Sequence, residues 1–105
     1  MALSQLTLAT TANTVLISYG NTAVTTMYLC NYSASDVTVS VHLVQATEGI
    51  APADDTNIIY KNVPIAANDT YIIDTERLVL ANGDSVQALA SADTSITMTV
   101  SHVGV

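Results

Sequence analysis

The chain has 105 residues, a net charge of −7 at neutral pH and one cysteine. This length allows one hydrophobic core, so a single domain over residues 1–105 is expected. Nine acidic residues against two basic ones repel nucleic-acid backbones and anionic lipid surfaces, which disfavours nucleic acid and membranes as partners. A single cysteine excludes a disulfide framework within the chain and a zinc-binding cysteine set.

The first residues of the chain do not resemble a secretion signal. Residues 1–7 lack a basic region and a continuous apolar run, and no segment approaches the length of apolar sequence that a membrane span needs. We therefore expect a chain that is made and folded as a soluble protein.

The core must be built without large aromatic side chains. Half of the residues are apolar, yet there is no Phe and no Trp, and only 10% of the residues are charged. Soluble domains carry about a quarter charged residues, so some apolar surface should be covered by another chain. Composition therefore predicts a homo-oligomer.

Period-2 alternation of apolar and polar residues, interrupted by turn residues, predicts an all-β fold. The expected architecture is a two-sheet antiparallel β-sandwich, jelly-roll-like, with eight or nine short strands. In chain order the predicted strands cover residues 3–10, 14–19, 23–31, 37–45, 57–62, 70–74, 77–80, 85–91 and 95–103.

The strand over residues 37–43 has the clearest pattern. Its odd positions are all Val or Leu and should face the core, whereas its even positions, including Ser40 and His42, are polar and should face away from it. The inward set should meet further apolar residues from the C-terminal strands, namely Val86, Ala88, Ile96, Met98 and Val100.

Turn residues separate the predicted strands. Asn82 and Gly83 tolerate positive φ and should form a tight reversal. Pro64 should lie in an extended segment at a sheet edge or a crossover, because it cannot donate a ladder hydrogen bond. Residues 47–55 contain Gly and Pro without alternation and should form a long exposed loop, where contacts with partners are often made.

The candidate interface combines tyrosines with this loop. A tyrosine couples a large apolar area to a polar tip and is a common anchor in protein interfaces, although in a Phe-free chain it is equally suited to closing the core. The candidate interface residues are Tyr32, Tyr60, Tyr71, Glu48, Ile50, Pro52, Asp54 and Asp55.

No catalytic, cofactor or metal site is expected, and the chain is not expected to be an enzyme. His42 and His102 each lack a second ligand two positions away. Cys30 lies in an apolar strand and should be a small buried residue. Glycines occur singly, so no phosphate-binding loop can be drawn.

Two weaker alternatives involve carboxylates. Asp74 and Glu76 could form a glycosidase pair, but no Trp is available to stack on a sugar, and a turn neutralised by Arg77 is favoured. Asp54, Asp55 and Asn57 could bind calcium loosely, although the loop lacks the full pattern of an EF-hand.

Several segments follow one another along the chain: ANTVL at 12–16, LCNYSAS at 29–35, VTV at 37–39, APAD at 51–54, YKNVPI at 60–65, NDT at 68–70 and a hairpin of the pattern L-x-L-x-x-G-D-x-V at 78–86. This order of elements, over about nine-tenths of the chain, resembles small β-sandwich proteins of tailed-bacteriophage virions. Where such proteins often end the first strand in a Pro-Gly turn, this chain has Tyr-Gly-Asn-Thr at 19–22. These proteins are accessory structural parts of the virion, and the resemblance supplies no active-site residue.

The resemblance implies a non-enzymatic virion structural protein. The first expectation is a capsid decoration or cement protein that sits as a homotrimer on the shell, binds the major capsid protein and is assembled in the host cytoplasm. A neck, tail-tip or fibre component is the alternative within the virion. A carbohydrate-binding module that uses Tyr32, Tyr60 or Tyr71 is the alternative from a different class.

Overall fold

The structure is a computed structural model that describes residues 2–45, 57–73 and 78–104. These residues form nine β-strands and no helix. The strands are β1 (Ala2–Thr7), β2 (Asn13–Ile17), β3 (Thr22–Asn31), β4 (Val37–Val44), β5 (Ile58–Ile65), β6 (Thr70–Ile73), β7 (Leu78–Leu80), β8 (Ser85–Ala90) and β9 (Ile96–Gly104). The all-β prediction is confirmed.

The strands form two antiparallel sheets that pack face to face. The five-stranded sheet has the order β1-β9-β3-β6, and β7 pairs with β3 beyond the end of β6. The four-stranded sheet has the order β2-β8-β4-β5. Most connections cross from one sheet to the other, and the two strand orders are those of a jelly roll, with the strand next to β3 divided into β6 and β7. The predicted sandwich is therefore confirmed.

Aliphatic side chains from both sheets fill the core. Val39, Val41 and Val86 are fully buried in the four-stranded sheet, and they meet Leu29 and Met98 from the five-stranded sheet. All the residues predicted to face inward are buried, except Leu43, which is partly buried and still packs against the core. Alternation therefore identified the correct face of β4, β8 and β9.

The face of β4 that points away from the core also carries buried side chains. Ser40 and His42 point away from the core, yet both are buried. Ser40 Oγ accepts the N–H of Asn62 at 3.0 Å, where the pairing of β4 and β5 is irregular, and His42 Nδ1 is 2.8 Å from Asn57 Oδ1. These polar contacts let the two side chains lie out of solvent on the face that points away from the core.

The turns follow the predicted chemistry with one change. Gly83 has a φ of 89° and the N–H of Asp84 bonds to the carbonyl of Ala81 at 3.1 Å, which closes a tight turn. Asn82 does not share the positive φ. Its Oδ1 instead accepts the N–H of Gly20 at 2.9 Å and ties this turn to the β2–β3 turn. Pro64 lies in the edge strand β5, as expected.

Replacing Val41 with Asp tests the orientation of β4. Val41 is 0% exposed between β5 and β8, so a carboxylate there is buried without a partner. We expect the free energy of unfolding in urea to fall by more than about 3 kcal/mol. Thr14→Asp, at an exposed position of β2, is the matched control and should change it by less than about 0.5 kcal/mol. Equal stability of the two variants would mean that the faces of β4 are reversed.

Candidate functional site

The three candidate tyrosines do not lie on one surface. Tyr32 is exposed and follows β3. Tyr71 is exposed on the edge strand β6. Tyr60 is partly buried on β5, at the edge of the other sheet, and packs against the core. Tyr60 therefore has the core-closing role that tyrosines can take in a Phe-free chain, whereas Tyr32 and Tyr71 are accessible.

The remaining candidates belong to the connection between β4 and β5. Glu48, Ile50, Pro52, Asp54 and Asp55 lie outside the described residues, as do Asp74, Glu76 and Arg77 of the carboxylate alternative.

Asn31, at the end of β3, holds the segment that presents Tyr32. Its side chain is 0% exposed. The Nδ2 group donates to the carbonyls of Ser35 and Ile65 at 2.8 and 3.0 Å, and Oδ1 accepts the N–H and the hydroxyl of Ser33 at 3.0 and 2.7 Å. Because Ile65 belongs to β5, this one side chain joins the two sheets. The sequence analysis missed it, although a polar residue at the end of an alternating run before Ser-x-Ser is a recognisable signal.

The outer face of the five-stranded sheet consists of the side chains of β1, β9, β3, β6 and β7 that point away from the core. It carries four of the nine large hydrophobic residues that are exposed in the described part. Tyr28 of β3 lies directly opposite Ile72 of β6. The large exposed side chains on this face are Leu3 (65%), Tyr28 (40%), Ile72 (52%) and Val79 (69%). The positions between them carry mostly Thr, Ser and Gln.

None of the described residues on this outer face is charged. The described charged residues are Asp36, Asp69, Asp84, Asp93 and Lys61. The four aspartates lie in turns, where each carboxylate accepts a backbone N–H at 2.8–3.0 Å. Lys61 lies on β5, in the other sheet. The charge of the described residues is thus separated from the apolar face.

Cys30 also points toward this outer face. It lies between Thr97 of β9 and Thr70 of β6, and it is partly exposed. The expectation of a buried cysteine was wrong, because β3 alternates and its inward positions here are Leu29 and Asn31. The Cys30 thiol is therefore one of the small side chains of the outer face.

The two histidines lie in different environments. His42 points away from the core of the four-stranded sheet, and His102 lies on the core-facing side of β9, where Nε2 is 3.0 Å from Ser4 Oγ. No group of three or more metal-binding side chains occurs among residues 2–45, 57–73 and 78–104.

The Ser4–His102 contact has the geometry of a nucleophile with its base. Within the described part of the chain, however, no hydrogen bond orients the Nδ1 atom of His102. His102 lines a groove of about 280 Å³ with Leu16, Ile17, Tyr19 and Thr22, at the end of the sandwich where β2 meets β3. We interpret the pair as a cross-strand contact at the end of β1.

The described residues contain no helix with the length and apolar character needed to cross a membrane. In comparisons with other proteins, no protein-family model, no curated protein and no solved structure matched this chain.

Replacing Asn31 with Ala tests the link between the sheets. The change removes the Nδ2 donor from the carbonyls of Ser35 and Ile65, although the Ser35 carbonyl still accepts the hydroxyl of Ser33 at 3.0 Å. We expect the free energy of unfolding to fall by about 1–3 kcal/mol in chemical denaturation. Asn21→Ala, in the exposed β2–β3 turn, is the control and should cost less than about 0.5 kcal/mol. If Asn31→Ala is no more costly than the control, Asn31 does not hold the sheets together.

Proposed function

We propose that this protein is a non-enzymatic structural protein of a virion, a capsid decoration or cement protein that binds and stabilises a phage head. The observation that carries the proposal is the outer face of the five-stranded sheet, which exposes Leu3, Tyr28, Ile72 and Val79 with no charged residue among its described positions. Binding of another protein to such a face is favourable because it removes apolar surface from water, and a docking role of this kind requires no catalysis.

The fold is compatible with this role. Jelly rolls occur in viral capsid proteins and also in lectins and cupins, so the fold alone does not choose between them. The sequence resemblance to accessory proteins of tailed-phage virions favours the first of these classes. The face itself favours protein over sugar, because its large side chains are mainly aliphatic and a sugar site uses aromatic stacking.

The distribution of charge also supports docking through this face. A face without charged residues meets no electrostatic repulsion when it approaches a capsid surface. The described aspartates lie away from this face, in the turns at the ends of the sandwich. Once the uncharged face is covered, the acidic turns remain in solvent and keep decorated particles apart in solution. Under this proposal the protein becomes part of the virion after assembly in the host cytoplasm, with the major capsid protein as its partner.

Binding to phage particles tests the proposal. The particles come from the phage whose genome encodes this chain and are prepared without the protein. The double variant Tyr28→Ser and Ile72→Ser should sediment with them at least about tenfold more weakly than the wild type, because two adjacent apolar anchors are lost.

The matched control is the double variant Tyr19→Ser and Ile17→Ser, which removes the same two residue types from outside this face and should bind like the wild type. Equal binding by the two double variants would exclude the outer face as the docking surface. A wild-type protein that binds glycans and no virion particle would replace the proposal with a carbohydrate-binding module.

A further inference from the structure

Strand β1 is an edge strand whose outer backbone groups have no partner within the described structure. It pairs with β9 on one side and stands first in the order of the five-stranded sheet. Its pairing is regular over all six residues, Ala2–Thr7, with no register shift. It contains no Pro and no charged residue. An edge of this kind is a template for pairing with another strand.

The hydrogen-bond pattern identifies the free groups. Leu8 donates its N–H to the carbonyl of Ile96 at 2.8 Å, directly after the end of β1. In an antiparallel pair, alternate residues exchange hydrogen bonds with the neighbouring strand, so the even residues of β1 bond to β9. The N–H and C=O groups of Leu3, Gln5 and Thr7 therefore point to the open edge.

The other edge strands carry features that oppose pairing. β5 contains Lys61 and Pro64 and has two irregularities in its pairing with β4. β2 has an irregularity between Thr14 and Leu16. The described parts of β6 and β7 are four and three residues long. Charges, prolines, bulges and short length are the devices that protect sheet edges, and β1 has none of them.

The side of the sandwich that contains β1 carries little charge. The first acidic residue of the chain is Asp36, so β1, β2, β3 and the segments between them are uncharged. Asp93 approaches from the β8–β9 turn, where its Oδ1 accepts the N–H of Thr10 at 2.8 Å. Few of the charges that the structure describes lie on this side, so a second copy meets little electrostatic repulsion there.

We propose that the occupant of the β1 edge is β1 of a second copy of the same chain. The free groups on Leu3, Gln5 and Thr7 are spaced evenly about Gln5, so an antiparallel pair centred on Gln5 satisfies them in both copies. Leu3 of each copy then lies opposite Thr7 of the other, and the two Gln5 residues face each other across a two-fold axis. The two five-stranded sheets become one continuous sheet.

This pairing extends the proposed docking role, but the evidence for it is independent of that role. The outer faces of the two sheets become a single uncharged surface, which doubles the area that can dock on a larger particle. The pair closes on a two-fold axis, whereas the sequence resemblance leads to the expectation of a trimer. The mass of the protein in solution decides between them, and binding to phage particles is a separate measurement.

Charge placed at position 5 tests the pairing. We expect the wild type to sediment as a species of twice the 11.0 kDa chain mass. Gln5→Glu and Gln5→Lys each put like charges opposite each other across the axis, so each variant alone should dissociate at least about tenfold more readily. An equimolar mixture of the two should recover the dimer, because opposite charges then face each other.

Two controls separate this effect from others. Gln5→Ala removes the bond from Gln5 Nε2 to Thr99 Oγ1 without adding charge, and it should stay dimeric. Thr70→Glu and Thr70→Lys place the same charges on β6, at the opposite edge of the sheet, and should also leave the mass unchanged. A wild-type monomer or trimer would overturn the inference, as would a dimer insensitive to the charges at position 5 or not restored by mixing.

Discussion

Burial of aliphatic side chains between the two sheets determines which face of each strand is turned outward. With neither Phe nor Trp, the core depends on the close packing of Val, Leu, Ile and Met from both sheets. The register that brings Leu29 and Met98 inward also places Tyr28 and Thr99 outward as neighbours. The exposed apolar face is thus a direct consequence of the packing of the core.

Hydrogen bonds from polar side chains also hold the two sheets together. Asn31 is buried beside the apolar core and bonds to β5 through Ile65, while Ser18 donates to the carbonyl of Gly20 at 2.8 Å beneath the β2–β3 turn. Among the described residues, every buried side-chain nitrogen and oxygen atom has a hydrogen-bond partner. Small polar residues therefore fix the ends of the sandwich, where a core without large aromatic side chains offers little area to bury.

The sequence was sufficient to predict the strands and the inward face. Alternation is local, and Val41 and Val86 can be buried only if their face of the strand is turned toward the core. It was not sufficient for features that depend on which strands become neighbours. The burial of His42 requires Asn57 beside it, and the role of Asn31 requires β5 beside β3. Whether the candidate tyrosines share one surface depends on strand neighbours in the same way.

The two flanks of the sandwich differ in how their sheet edges are protected. The flank formed by β5, β6 and β7 has Lys61, Pro64 and irregular pairing, which resist the addition of another strand. On the other flank, β2 has one irregularity, whereas β1 is regular and uncharged, and Leu3 on it is largely exposed. In an isolated domain, selection against aggregation acts on both flanks alike. An unprotected edge at β1 alone is the pattern expected when that edge is covered in an assembly, which connects the edge of β1 and the outer face beside it to a single role.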